Sequence, residues 1–278
     1  MAGLNTEHIA FIGFGEVGQT FAAGLLCREG VRVTAFDILG GGSAGARLRA
    51  RAADLGVTLA ETAAGAAEGA AFVISAVTAS EAEAVAGAAG HYLRPGQVFL
   101  DVNSAAPSTK RRAARQVEAA GADYVEGAVM APVLKPGLAV PILAGGPRAA
   151  ETAARLNALG MNLTPVATEH GRASAMKLCR SIMIKGIEAL MVDCAAACEG
   201  WDVTEPVFAS LAETFPAIDW PALAENMRER VATHGVRRAA EMREAGEMLA
   251  ALGMNPALVL AVAEAQARGA RPRQEDAA

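Results

Sequence analysis

Gly13-Phe14-Gly15-Glu16-Val17-Gly18 stands between an apolar run, His8-Ile9-Ala10-Phe11-Ile12, and a stretch with Val17, Phe21, Leu25 and Leu26 at helical spacing. The run reads as a short buried strand and the stretch as a helix that starts at Glu16. The three glycines have separate uses at such a junction. The first allows the tight turn, the second lets a pyrophosphate approach the backbone, and the third lets the helix pack closely on the strand. The helix N-terminus then faces the phosphates. A glycine pattern alone is weak, but this one lies in a βαβ unit with Asp37 placed 19 residues past Gly18. Gly13, Phe14, Gly15, Glu16, Val17 and Gly18 are therefore expected to cradle a dinucleotide.

Asp37 follows Val31-Arg32-Val33-Thr34-Ala35-Phe36, an apolar alternation that puts it at the carboxyl end of a second strand. A carboxylate there can accept hydrogen bonds from both ribose hydroxyls of an adenosine and would repel a 2′-phosphate. Arg47, Arg49 and Arg51 follow at every second position of a predicted helix over 44–55, which spreads them over its surface. NAD is the expected cofactor, with NADP as the alternative.

Further along, strand-like runs at 71–77, 97–102, 122–126 and 139–144 alternate with amphipathic stretches such as 107–120. This alternation predicts an α/β fold, a parallel sheet with helices on both faces, whose ligands bind at the carboxyl ends of the strands. Val77, Thr78, Asn103 and Ser104 fall at such ends. After Thr164-Pro165 the pattern becomes helical. Residues 171–199 contain no Pro and a long series of apolar residues, so they read as one long, mostly buried helix. Further helices are expected, with breaks near Pro206, Pro216 to Pro221 and Pro256, and a polar tail from Arg268. The division predicted is a dinucleotide-binding domain over 1–165 and an all-α domain over 166–278.

Composition narrows the function classes. The chain has 278 residues, 53% of them hydrophobic, and a net charge of −5. That charge argues against a nucleic-acid partner, and the run Lys110-Arg111-Arg112 with Arg115 reads as a solvated helix face. No apolar stretch of spanning length is free of Gly, Pro or charge, so no membrane segment is expected. The polar N-terminus enters a core strand at once, which leaves no signal peptide and a cytoplasmic expectation. Cys27, Cys179, Cys194 and Cys198 show no C-x-x-C spacing and read as small buried thiols, with no metal site.

The segment His170-Gly171-Arg172-Ala173-Ser174-Ala175-Met176-Lys177-Leu178-Cys179-Arg180-Ser181 carries the chemistry. Lys177 stands early on the long helix, and Ser181 is one turn on along the same face. Burial beside a nicotinamide would disfavour the charged form of a lysine and bring its pKa toward a useful range. Such a lysine can take a proton from an alcohol or return one to a carbonyl, and Ser181 can hold a substrate oxygen. Lys185, two turns on, competes for the same role.

The glycine fingerprint followed by G-x-x-S-x-x-K at the start of a long helix resembles the β-hydroxyacid dehydrogenases. That group includes 3-hydroxyisobutyrate, tartronate semialdehyde and 6-phosphogluconate enzymes. The resemblance covers nearly the whole chain and implies that Lys177 is the catalytic lysine. Asp101-Val102-Asn103-Ser104-Ala105-Ala106-Pro107 is similar to the D-x-S-T-x-x-P loop of the family, near nicotinamide and substrate. Gly127-Ala128-Val129-Met130-Ala131-Pro132 stands where the family has A-P-V-S-G-G. Met130 supplies no hydroxyl and Pro132 no N–H, so the usual carboxylate cradle is altered at Met130. Ser181 likewise replaces the usual Asn. Thr233-His234-Gly235-Val236-Arg237-Arg238-Ala239-Ala240-Glu241-Met242 resembles a variant helical domain of 6-phosphogluconate-dehydrogenase-like proteins. His234, with Arg237 or Arg238, is the candidate to reach an anionic small-molecule substrate in place of the lost cradle.

The expected activity is hydride transfer between NAD and a small hydroxy acid or its semialdehyde or keto counterpart. The competing readings are an imine reductase on the same fold and a non-catalytic dinucleotide sensor. Relatives of the first kind commonly carry Asp or Tyr where this chain has Lys177, and a sensor needs no proton shuttle. The resemblance also implies a homodimer packed through the helical domains.

Overall fold

The computed structural model describes residues 6–42 and 45–270. Its first part is one eight-stranded sheet in the order β3-β2-β1-β4-β5-β6-β7-β8. The strands are β1 (Glu7–Ile12), β2 (Val31–Phe36), β3 (Thr58–Leu59), β4 (Phe72–Ser75), β5 (Val98–Asp101), β6 (Asp123–Val129), β7 (Pro141–Gly145) and β8 (Asn162–Ala167). The first six are parallel, β7 is antiparallel to β6, and β8 runs parallel to β7. The helices are α1 (Glu16–Leu26), α2 (Ala46–Leu55), α3 (Ala63–Ala67), α4 (Ala82–Ala89), α5 (Pro107–Glu118), α6 (Ala149–Ala158), α7 (Arg172–Gly200), α8 (Thr204–Thr214), α9 (Trp220–Ala251) and α10 (Ala257–Arg268).

The central strands are mostly apolar because both sheet faces are covered. Ile9, Phe11, Val33, Phe72, Ile74 and Leu100 pack on one face with Phe21 and Leu25 of α1. Ala10, Ile12, Val73, Phe99 and Tyr124 pack on the other with alanines of α3, α4 and α5. Strand alternation thus sends successive residues into two separate cores. The small helix residues permit close approach to the sheet.

Several expectations need correction. The strand pattern predicts six strands, all parallel, whereas eight form and β7 reverses direction. The predicted helix over 44–55 begins at Ala46, and residue 44 lies outside the described residues. The tail is described only as far as 270, and α10 includes Arg268. Lys110 is not on a solvated face. It is 1% exposed, with its ammonium 2.8 Å from Asp101 Oδ1. Arg112 pairs with Glu83 through two hydrogen bonds of 2.8 Å, which leaves Arg111 and Arg115 as the exposed members of the run. Cys27 and Cys179 are exposed, against the expectation of buried thiols, and all four cysteines are free. Nor is α7 covered all round, since Met183, Ile187 and Leu190 are exposed.

The chain divides into two compact units, 1–177 and 178–278. The sequence pattern predicts a division near 165. β8 and the first turn of α7 belong with the sheet, and the break falls inside α7. In the second unit, Met191 and Ala195 of α7 pack with Phe208 of α8 and Ala224 of α9. Buried charges join its helices as well. Glu188 is fully buried, pairs with Arg238 and lies 2.9 Å from Arg230, while Gln266 of α10 donates to the Lys185 carbonyl at 3.1 Å. Among the described residues no helix is long and apolar enough to cross a membrane. Among them, too, no three His, Cys, Asp or Glu side chains gather to hold a metal.

Candidate dinucleotide and catalytic site

The carboxyl ends of β1, β2, β4 and β5 lie along one edge of the sheet and carry most of the expected residues. Gly13 has φ +90°, and a Cβ there would lie 2.4 Å from the Ala76 carbonyl oxygen. At Gly18 a Cβ would lie 2.6 Å from the Gly13 carbonyl oxygen. Both positions therefore exclude a side chain, one by conformation and one by packing. Gly15 differs: nothing lies within 4 Å of its would-be Cβ, and it caps α1 without a side-chain acceptor. Open space stands in front of a helix start whose first N–H groups lack a side-chain cap, and this is what a pyrophosphate needs. Phe14 is buried, Glu16 is exposed, and Val17 is half-buried.

Asp37 is held by the same turn. Its Oδ2 accepts the Phe14 N–H at 2.7 Å and its Oδ1 the Leu39 N–H at 2.9 Å. A carboxylate has about four acceptor positions, so these two bonds orient it and leave two for ribose hydroxyls. The Arg49 guanidinium reaches back to donate to the Gly40 carbonyl, three residues past Asp37. Arg47 and Arg51 are exposed on α2.

Asn103 stitches β4 to β5. Its Oδ1 accepts the Val77 N–H at 2.7 Å, and its amide donates to Ser75 Oγ at 3.0 Å and Asp101 Oδ1 at 2.7 Å. With these three bonds and 4% exposure, the side chain sets the Val77 backbone instead of presenting a free group. Asp101 is the hub beneath it. Besides Asn103 and Lys110, it accepts from the Tyr124 hydroxyl at 2.7 Å. Burial, and then the neighbouring Asp101 carboxylate, hold the Tyr124 phenol well above its usual range, so it stays a donor. Thr78 is exposed, with its hydroxyl 3.0 Å from that of Ser80. Ser104 has a buried hydroxyl oxygen without a hydrogen-bond partner among the described residues. Met130 is half-buried just past β6, and its N–H is taken by the Pro141 carbonyl at 2.9 Å.

Lys177 is a half-buried residue in the second turn of α7. The turn before it is fastened by Glu126 of β6, which composition and spacing do not single out. Glu126 is fully buried. Its Oε1 accepts the Gly171 and Ala173 N–H groups at 2.8 and 2.9 Å, and its Oε2 accepts from Ser174 Oγ at 3.0 Å. A carboxylate on a helix N-terminus satisfies orphan donors and opposes the helix dipole, an effect that reaches about 2 kcal/mol where partly buried. The signal in the sequence is a lone acid inside the apolar strand Tyr124-Val125-Glu126-Gly127-Ala128-Val129.

The remaining candidates lie in the second unit. Ser181 is buried, donates to Glu241, and accepts from Lys185 at 3.2 Å. Lys185 is buried too, 3.2 Å from Glu241. Burial lowers its pKa, and Glu241 opposes the shift. Ser181 and Lys185 are thus committed to one internal ion-paired cluster. On α9, His234 is half-buried and Arg237 is exposed one turn on, whereas Arg238 is spent on Glu188. Arg238 is therefore removed from the substrate candidates.

Known proteins match this arrangement. The family described as the NAD binding domain of 6-phosphogluconate dehydrogenase covers residues 8–167, and a domain of unknown function, DUF1932, covers 199–269. A conserved hypothetical protein from Sinorhizobium meliloti 1021 is 43% identical over 94% of this chain and 88% of its own, with a TM-score of 0.83. MTH1747, a conserved protein of unknown function with structural similarity to 3-hydroxyacid dehydrogenases, is 32% identical over 94% and 97%, with a TM-score of 0.76. The Mycobacterium tuberculosis 3-hydroxyisobutyrate dehydrogenase, solved with L-serine, shares the fold at 19% identity over 95% and 93%, with a TM-score of 0.76. Imine reductases and a reductive aminase share the fold at 18–24% identity. Among curated proteins none matches.

Proposed function

Because the chain belongs to the family of the 6-phosphogluconate dehydrogenase NAD-binding domain, we propose that it is an oxidoreductase acting on the CH–OH group of a small hydroxy acid, or on the matching carbonyl. The observation that carries this reading is a lysine set by a buried cap on the same unit as the glycine turn. Bound there, the nicotinamide would supply the hydride acceptor or donor. In the oxidative direction the neutral Lys177 amine accepts the proton of the substrate hydroxyl as its carbon gives up hydride. In the reverse direction the ammonium returns that proton to the carbonyl oxygen. Ser104, whose buried hydroxyl has no hydrogen-bond partner among the described residues, is assigned a polar group of cofactor or substrate.

Asp37 supports NAD over NADP, since its oriented carboxylate would face a 2′-phosphate. Arg49, near the same loop, is the group that would oppose this preference. Asp37→Ala is expected to weaken NADH binding by about tenfold, the loss of one or two hydrogen bonds to a charged acceptor. NADPH, relieved of the carboxylate that would face its 2′-phosphate, should bind no more weakly than it does to the wild type. A fluorescence titration in which the wild type prefers NADPH would refute the assignment.

The exposed Met183, Ile187 and Leu190 of α7 support a second copy of the chain as their cover. Light scattering on purified protein should give a dimer mass, and a monomer at micromolar concentration would remove this part of the reading.

A further inference from the structure

We infer that Glu126 is a positioning residue for Lys177, the missing acceptor of the G-x-x-S-x-x-K segment; this rests on the reading of Lys177 as the proton shuttle. Gly171 and Ser174 are fixed points of that segment, and both give their hydrogen to the same carboxylate. The room for it is built in. Glu126 lies opposite Gly145 in the β6–β7 register, and a Cβ on Gly145 would lie 2.5 Å from Glu126 Oε1. Gly171 itself has φ +92°, and a Cβ there would lie 3.1 Å from the Pro107 carbonyl oxygen. The start of α7 is therefore gripped between β6 and the start of α5. Three donors, two backbone N–H groups and one side-chain hydroxyl, converge on the one carboxylate and fix the turn's rotation as well as its height. Lys177 follows Ser174 by three residues, so its direction is inherited from that grip.

The same grip accounts for residue types that the sequence leaves unexplained. Ser174 is buried, and its one hydroxyl hydrogen is shared between Glu126 Oε2 at 3.0 Å and the Gly171 carbonyl at 3.2 Å. A fully buried carboxylate inside an apolar strand is costly unless it is this well paired. Its three partners lie 45 to 48 residues away in sequence, all within the turn that leads to Lys177.

The test uses full-length protein labelled with [ε-13C]lysine. The chain has four lysines, 110, 135, 177 and 185, so Lys177→Arg assigns the Lys177 signal by its loss. In Glu126→Ala the Lys177 signal is expected to shift or broaden while those of Lys135 and Lys185 stay. With the best substrate found, kcat falls about 100-fold, as expected for a displaced catalytic group, with KM and NADH affinity unchanged. Glu126→Gln retains an acceptor oxygen for the two amides and should recover kcat to within about tenfold of wild type. If Glu126→Ala does not fold, Ser174→Ala removes one of the three donors and gives the same signature at smaller amplitude. An unmoved Lys177 signal in a folded variant, or a Gln variant as impaired as Ala, overturns the inference. Turnover that survives Lys177→Ala would overturn the catalytic reading instead, and the Lys177 signal would still decide the positioning.

Discussion

Lys177→Ala should leave NADH affinity intact and lower hydride transfer by about 10²- to 10⁴-fold, the range that a positioned general acid or base contributes. The separation follows from where the parts lie. In the proposed dinucleotide cradle, the β1–α1 turn, Asp37 and the backbone near Val77 are held by hydrogen bonds among themselves and with Asn103. The other three lysines are less suited to proton transfer. Lys185, the nearest rival on α7, is buried against Ser181 and Glu241. Lys110 is buried against Asp101, and Lys135 is exposed in the loop after β6. Single-turnover measurements with saturating NADH would isolate the chemical step. A loss of less than about tenfold would reassign the proton shuttle.

Lys110→Met should lower the unfolding free energy by about 3–5 kcal/mol, the cost of leaving one partner of a buried ion pair uncompensated. Asp101 would keep the Tyr124 hydroxyl and the Asn103 amide but lose the only cation within 3 Å among the described residues. Lys110 also donates to the Asp101 carbonyl at 3.0 Å, so the end of β5 loosens as well as the side chain. The effect should extend to ligand binding. With the end of β5 loosened, Asn103 holds the Val77 N–H less firmly, and NADH affinity falls with stability. Arg111→Met, one residue on and exposed, should change stability by no more than about 0.5 kcal/mol. Urea unfolding of the two variants reads the contrast through their midpoints. Equal midpoints would show that the buried pair has no structural weight.

The proposed dinucleotide half of the site is legible because its constraints act on residue type over a short span. A turn at φ +90° with no room for a Cβ admits only glycine, and so does a helix position where a Cβ would lie 2.6 Å from a carbonyl oxygen. Both leave a visible letter in the sequence. Asp37 is likewise announced by the strand that ends just before it. Buried central strands are legible as apolar runs, which is why β1, β2, β4 and β5 can be placed from pattern alone.

The parts that escape reading depend on partners remote in sequence. β3 is two residues long, and β8 contains Pro165 and buries only Leu163, a pattern that a loop also shows. The reversal of β7 leaves no periodic trace, because strand direction does not alter side-chain alternation. Buried charges mislead most. Lys110 sits in a basic run that resembles a solvated face until Asp101 is brought beside it. Ser181 follows Lys177 by one helical turn and so resembles a substrate contact, yet its hydroxyl is taken by Glu241, 60 residues away. Glu126 shows the converse, an acid hidden in a strand whose use becomes clear only when α7 arrives above it.

The central claim is that this chain moves hydride between a nicotinamide and a carbon bearing oxygen. The direct measurement is cofactor absorbance at saturating NAD or NADH over a panel of hydroxy acids, polyols, their carbonyl counterparts and cyclic imines, with wild type beside Lys177→Ala. The predicted result is turnover of a hydroxy acid or its carbonyl partner in the wild type and its loss in the variant. Turnover confined to imines and unaffected by the variant would contradict the claim, and so would tight NADH binding with no turnover of any compound.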